Sequence, residues 1–350
     1  MSVFYKLSIK EITKETKSAV SVVFDVPENL KSEFNFIPGQ YITIQKELNG
    51  EVLRRAYSIC SSENSNELRV AIKEVEKGIF STYANNSLKV GDNIEVAAPE
   101  GRFILSTAKN NKKNYIAFVA GSGITPVMSM IRSVLETETE SRFILIYGNK
   151  SSDLTIFKKE LDELVISASD RFDLHYVFSQ KISDQAFFGR IDLQVINDIL
   201  KHKYNQINFD EYFLCGPEDM IDLVKESLLK ANVKEEDIKF ELFTSTAHKK
   251  EVDTELSGNT KITILLDDEE TTFDMRQDEK ILDAALAKGL DAPYSCQGGI
   301  CSSCLAKVVE GKAVMEKNTI LDDDEVEDGL ILTCQAHPKT ATLKIDYDDV

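Results

Sequence analysis

The chain has 350 residues, with 59 acidic against 41 basic side chains and a formal net charge of −18. That length exceeds what one core usually serves, so two or three domains are expected, and 42% apolar with 29% charged residues suits a soluble globular protein. An acidic chain with no cluster of Lys and Arg excludes nucleic acid as partner, and no apolar run is long enough to span a membrane. The N-terminus, MSVFYKLSIKEITKE, has the form of neither a signal nor a transit peptide, so a cytoplasmic location is expected.

In chain order, residues 1–107 carry short β-segments at Tyr5–Ile9, Val20–Phe24, Tyr41–Gln45, Arg55–Cys60, Glu67–Val75 and Asn93–Ala97. Gly, Pro and Asn separate them, and six such runs at this spacing predict an antiparallel barrel. Within it, Arg55-Ala-Tyr57-Ser58 ends a strand. A guanidinium can clamp a pyrophosphate, a tyrosine ring can stack on a flavin, and a hydroxyl can bond its reactive nitrogen. An ordinary strand end has the same form. Further on, Lys73 precedes Gly78-Ile-Phe-Ser81-Thr82, where a glycine and two hydroxyls open a predicted helix. That is a suitable phosphate seat, or a plain glycine turn with a serine cap.

Residues 112–243 change character. Apolar strands at Tyr115–Ala120, Phe143–Tyr147, Leu174–Phe178 and Tyr212–Cys215 alternate with helical stretches at Pro126–Leu135 and Asp219–Ala231. The alternation predicts a doubly wound α/β domain. Gly121-Ser-Gly123-Ile-Thr125-Pro126 follows its first strand and opens a helix, which lets backbone approach a pyrophosphate and wastes no N–H at the proline. A second loop, Cys215-Gly216-Pro217, ends a later strand. Both loops fall on the strand ends where open α/β sheets bind ligands. Cys215 is either a small buried apolar group or a thiol beside a nicotinamide ring.

Residues 244–259 have little apolar content and are expected to link the domains. Residues 260–350 resume as strands, one helix and a cysteine loop, a small α+β unit with 20 acidic and 9 basic side chains, a net of −11. Four of the six cysteines lie here, at Cys296, Cys301, Cys304 and Cys334, spaced C-x4-C-x2-C with the fourth remote. Zinc sites usually show two close ligand pairs, whereas this spacing is that of a plant-type [2Fe–2S] cluster. Gly298 and Gly299 let the loop wrap closely around anionic sulfurs.

With these signals in this order, the chain resembles the ferredoxin–NADP reductase superfamily. More closely, it resembles the three-domain oxygenase reductases, and among them the branch serving phenylacetyl-CoA epoxidase-type di-iron monooxygenases. The resemblance covers nearly the whole chain through RAYS at 55–58, GIFSTYAN at 78–85, GSGITP at 121–126, YGNKSS at 147–152, LCGPEDM at 214–220, PYSCQGGICSSC at 293–304 and LTCQAHP at 332–338. It implies a multidomain fold: an FAD-binding β-barrel, a nucleotide-binding α/β domain and a β-grasp ferredoxin-like domain. It implies FAD held by Arg55, Tyr57, Ser58, Gly78 and Ser81, nicotinamide nucleotide at Gly121, Thr125, Cys215 and Gly216, and a cluster on Cys296, Cys301, Cys304 and Cys334. Lys73, Thr82, Gly123, Pro126 and Pro217 complete the expected cofactor contacts, and Ser58, Cys215 and Glu241 the catalytic set.

Relatives that prefer NADPH often carry Ser-Arg after the third strand of the nucleotide domain. Here the residues are Ser179-Gln180-Lys181, so Lys150, Lys181 or Arg190 would have to replace the arginine. NADPH is the expected donor, with NADH left open. The expected function is electron transfer from NAD(P)H through FAD and the cluster to an oxygenase component. A relay subunit of the dihydroorotate dehydrogenase type, or a redox-sensing cluster protein, is the alternative.

Overall fold

A computed structural model describes residues 3–182, 186–244 and 258–350. The chain divides into two compact units. Residues 5–53 and 57–244 make up one, and the C-terminal part, with residues 3–4 and 54–56, makes up the other. The expected linker, 244–259, lies outside the described residues except at its ends.

The first sheet contains β1 (Phe4–Thr16), β2 (Ala19–Asp25), β3 (Tyr41–Leu48), β4 (Glu51–Ser58), β5 (Leu68–Lys73) and β6 (Asn93–Ala97), with helix α1 (Ile79–Asn86) after β5. Strand order is β4-β3-β6-β1-β2-β5. A bridge between Ile59 and Val70 joins the two ends, closing the sheet into a barrel around Leu7, Ile9, Val22, Phe24, Ile42, Ile44 and Val96. Strand β2 is buried on both faces. Val20, Val22 and Phe24 face the barrel core, whereas Ala19 joins a second core.

That second core belongs to the α/β sheet. Its elements are β7 (Asn114–Ala120), α2 (Ile124–Thr137), β8 (Arg142–Asn149), α3 (Lys158–Ser167), β9 (Phe172–Phe178), β10 (Ala186–Phe188), α4 (Leu193–Asn197), β11 (Glu211–Pro217), α5 (Glu218–Lys230) and β12 (Ile238–Thr244). The order β10-β9-β8-β7-β11-β12 is parallel throughout. The expected apolar strands are all present. Strand β12 is an addition, because Lys239 and Glu241 break the apolar run that marks a buried strand. Lys239 Nζ is satisfied by Glu211 at 2.7 Å and the Ile104 carbonyl at 3.1 Å.

Helix α2 is buried almost all round, as an apolar helix must be to hold its place. Its serines are matched to the barrel segment that runs alongside. Ser129 Oγ donates to the Ser61 carbonyl at 2.6 Å, and the Glu63 amide donates to Ser133 Oγ at 3.2 Å. Barrel and α/β sheet therefore share a core and a polar seam.

The C-terminal unit contains β13 (Asn259–Leu266), β14 (Glu269–Arg276), α6 (Ile281–Ala287), β15 (Leu305–Glu310), β16 (Ala313–Met315), α7 (Asp323–Glu327), β17 (Leu330–Leu332), β18 (Ala336–Pro338) and β19 (Thr342–Asp346). Its main sheet runs β14-β13-β19-β15-β17, with only β13 and β19 parallel, and β16 pairs with β18 apart from it. Helix α6 packs Ile281, Leu282 and Ala285 onto Ile262, Ile264 and Ile345. This is the β-grasp arrangement. Three-residue strands such as β16 to β18 are too short for a two-residue period to register in sequence.

Gly39 sits where the chain enters β3, at φ +105°, and a Cβ there would overlap the Phe103 carbonyl. Gly39→Ala is expected to cost about 2 kcal/mol or more, read as a lowered thermal midpoint of the barrel unit.

Candidate functional site

Strand β7 continues to β8 on one side, and β11 continues to β12 on the other. The order therefore reverses between β7 and β11, and a crevice opens beyond their carboxyl ends. Both predicted nucleotide loops lie there. Gly121 is left-handed at φ +57° and turns the chain, which glycine does without steric cost. At Gly123 a Cβ would overlap the carbonyl of Cys215 and stand 3.1 Å from the Gly216 amide. The two loops thus meet main chain to main chain, and only glycine fits at the meeting point.

Thr125 Oγ1 donates to the Ser122 carbonyl at 3.0 Å, closing the turn. Pro126 occupies the first turn of α2, where its missing N–H leaves no gap. Tyr147, which the sequence reading did not select, donates its hydroxyl to the Gly121 carbonyl at 2.9 Å. A hydroxyl following the apolar run Phe143–Ile146 was the one signal that could have pointed to it.

Two lysines converge on this edge. A Cβ on Gly121 would lie 3.4 Å from Lys73 Nζ. Lys73 holds its proton less tightly than usual, first through burial of its ammonium and then through repulsion from Lys150. Lys73 as a whole still reaches solvent. Two mutually repelling cations beside a glycine turn suit an anion.

Beyond the barrel's edge the chemistry is neutral. Register pairs Cys215 on β11 with Glu241 on β12. Ser58 is buried at the end of β4, close enough for its hydroxyl to pull the Glu241 carboxyl down against burial. The predicted catalytic three are therefore brought together from two sheets. Cys215 is fully buried, and burial, then the nearby Glu241, pushes its thiol well above the ordinary range. Burial raises Glu241 from 4.5 to about 8, against the opposing pull of the Ser58 hydroxyl. Glu241 retains some exposed surface, but its Oε2 atom is buried with no hydrogen-bond partner. A polar atom left unmatched at this point fits a site that a polar ring completes.

The remaining flavin residues spread along the barrel. Arg55 is exposed on β4 and donates to the Arg54 carbonyl at 2.7 Å. The Tyr57 and Phe80 rings lie 5.7 Å apart, tying β4 to α1. Gly78 precedes α1, and Ser81 Oγ accepts from the Val75 amide at 3.1 Å, shaping the loop rather than pointing outward. Gly78, Thr82, Lys77 and Tyr83 line a cleft of about 430 Å³. Pro217 leads into α5 from the Cys215 loop.

In the C-terminal unit, Cys301, Cys304 and Cys334 are buried and Cys296 partly so, all as free thiols. Cys301 and Cys296 sulfurs lie 3.0 Å apart, and the Gly298 amide donates to Cys296 Sγ at 3.3 Å. Gly299 is left-handed, and a Cβ on it would press on Gln335 Cγ at 3.0 Å and the Lys317 carbonyl at 3.1 Å. Lys317 Nζ is buried with no hydrogen-bond partner among the described residues. Thr333 ties the remote cysteine to the loop, its Oγ1 donating to the Cys304 carbonyl at 2.9 Å. Among the described residues no three His, Cys, Asp or Glu gather about a single metal ion. A dinuclear cluster asks for two thiolates per iron, so the donor set fits it.

Comparison with known proteins gives three family matches along the chain. The oxidoreductase FAD-binding domain matches residues 6–104, the oxidoreductase NAD-binding domain residues 118–226, and the 2Fe-2S iron-sulfur cluster binding domain residues 264–339. The chain is 38% identical to one of the subunits of the 1,2-phenylacetyl-CoA epoxidase of Escherichia coli (strain K12), over 99% of both chains. It is 31% identical to the ferredoxin reductase component of the 3-ketosteroid-9-alpha-monooxygenase of Rhodococcus rhodochrous, over 97% of this chain and 96% of the other. The fold matches that of phthalate dioxygenase reductase, with a TM-score of 0.60 and 23% identity over 98% of each chain.

Glu241 yields a pH test. Its native carboxyl holds a proton that the unfolded chain releases, so stability falls as pH rises from about 5 to about 8. Glu241→Gln is expected to flatten that slope in thermal unfolding measured across the same range.

Proposed function

The chain belongs to the FAD- and [2Fe–2S]-containing reductase components of multicomponent oxygenases, and on that premise we propose that it serves a di-iron monooxygenase of the phenylacetyl-CoA epoxidase type. The single observation that supports the site assignment best is the meeting of Ser58, Cys215 and Glu241 at the edge where the two glycine loops touch.

When bound, FAD takes two electrons together as hydride and gives them up singly, while a [2Fe–2S] cluster carries one at a time, near about −400 mV for plant-type clusters. The residues divide the work of holding these groups. Arg55, Tyr57, Ser58, Gly78 and Thr82 would hold the flavin, on a loop that Ser81 shapes. Gly121, Gly123, Thr125 and Pro126 let main chain reach the nucleotide's pyrophosphate, with Lys73 and Lys150 supplying positive charge. Cys215, Gly216 and Pro217 wall the nicotinamide end. The Cys215 thiol stays protonated in its buried place, so it positions by packing and not as a nucleophile. Glu241 holds a proton at its carboxyl below pH of about 8, with the Ser58 hydroxyl beside it. Cys296, Cys301, Cys304 and Cys334 hold the cluster. NADPH is the proposed donor over NADH, checked by comparing kcat/KM for the two.

The acceptor assignment is tested by reconstitution. The protein should support turnover of a purified phenylacetyl-CoA epoxidase oxygenase component and not of a 3-ketosteroid monooxygenase; equal support of both would overturn it. Cys301→Ser should leave NAD(P)H oxidation by a small artificial acceptor within about twofold while lowering oxygenase-coupled turnover by about a hundredfold or more.

A further inference from the structure

Arg69 lies on β5 of the barrel with its side chain 11% exposed. Its Nη2 donates to Glu15 Oε1 at 2.7 Å and to Ser21 Oγ at 2.9 Å, both within the barrel. The same guanidinium reaches the nucleotide domain, meeting both carboxylate oxygens of Glu160 on α3 at 2.8 and 3.3 Å. Arg132 of α2 pairs with Glu160 as well. A planar fork that satisfies carboxylates on both sides fixes direction as well as distance, which a lysine would not do.

The guanidinium also lies 5.2 Å from the centroid of Phe157. Phe157 is buried and left-handed, at φ +58°, just before α3. A bulky residue in that conformation is strained and persists only where its surroundings hold it. The neighbouring carbonyl, that of Ile156, accepts from the Tyr147 hydroxyl at 3.4 Å, and the same hydroxyl donates to Gly121 at 2.9 Å. A continuous set of contacts thus runs from the barrel through Arg69, the start of α3 and Tyr147 to the glycine turn.

We propose that Arg69 is a positioning residue for the nicotinamide nucleotide: it holds the strained turn at Phe157, and through Tyr147 the turn at Gly121, in register with the flavin barrel. Arg69 touches no nucleotide itself. The inference rests on the functional reading of the Gly121 turn given above.

The test uses the full-length, FAD-loaded protein and measures Kd for NADP+ and NAD+ by calorimetry, with flavin content, thermal midpoint, KM and kcat alongside. Arg69→Met and Glu160→Gln are each expected to raise Kd and KM about tenfold, the loss expected for one buried charged pair, while kcat at saturation stays within about twofold. Glu160→Gln keeps size and removes charge, so it decides the matter if Arg69→Met does not fold. A lowered midpoint with unchanged Kd in both flavin-loaded variants would show a merely structural clamp and overturn the proposal. Failure of the wild-type protein to bind either nucleotide would instead overturn the functional reading, and this inference with it.

Discussion

One close approach governs the functional edge of this molecule: the main chain at Gly123 lies against the carbonyl of Cys215 with no room for a side-chain carbon. Because the two loops touch there, β7 and β11 must be neighbours with their ends level, as the parallel register confirms. That adjacency sets β12 beside β11 and brings Glu241 level with Cys215. It also sets α2 running away from the crevice along the barrel, where Ser129 and Ser133 meet residues 61–63. Ser58 comes close to Glu241 across the same edge. Geometry at one glycine is thereby converted into the alignment of two domains.

The electrostatics divide along the same edge. At one end Lys73 and Lys150 crowd their charges around a glycine turn; at the other, burial keeps Cys215 and Glu241 protonated. A nicotinamide nucleotide has the same division, an anionic pyrophosphate and a flat ring with little charge. Placing cations where water still reaches and neutral groups where it does not avoids the cost of burying unpaired charge. The C-terminal unit solves a different problem, gathering three thiols in one loop beside the remote Cys334, with the Gly298 amide turned to Cys296. Its acidic stretch also acts locally, since Asp322 and Glu325 form a reciprocal cap on α7, and acidic residues in that first turn suit the helix dipole. Some of the −11 charge is therefore explained by helix formation.

Much of this was legible in the sequence, for reasons that differ by residue. The cysteine spacing was readable because ligand spacing is a local property of one loop. The barrel and the βα alternation were readable because burial imposes periods of two and 3.6. Ser58 and Cys215 were readable as ends of local motifs, but Glu241 could be named only through family resemblance, since the three lie on separate strands and no local pattern joins them. Strand β12 is hidden in the sequence because its half-buried Lys239 is neutralised by Glu211, a pairing that sequence does not display. Arg69 was missed for the same reason: its partners at Glu15, Phe157 and Glu160 are remote along the chain, and a lone arginine in a strand carries no signal.

All of these arrangements serve one end, the joining of a nicotinamide site, a flavin site and a one-electron cluster in working order on a single chain. Anaerobic mixing of the fully loaded protein with NADPH or NADH, followed by flavin absorbance and low-temperature paramagnetic resonance, tests it most directly. Loss of flavin absorbance and the appearance of a reduced [2Fe–2S] signal, with no added mediator, are the expected outcome. Flavin bleaching without any cluster signal in a fully loaded sample would contradict it.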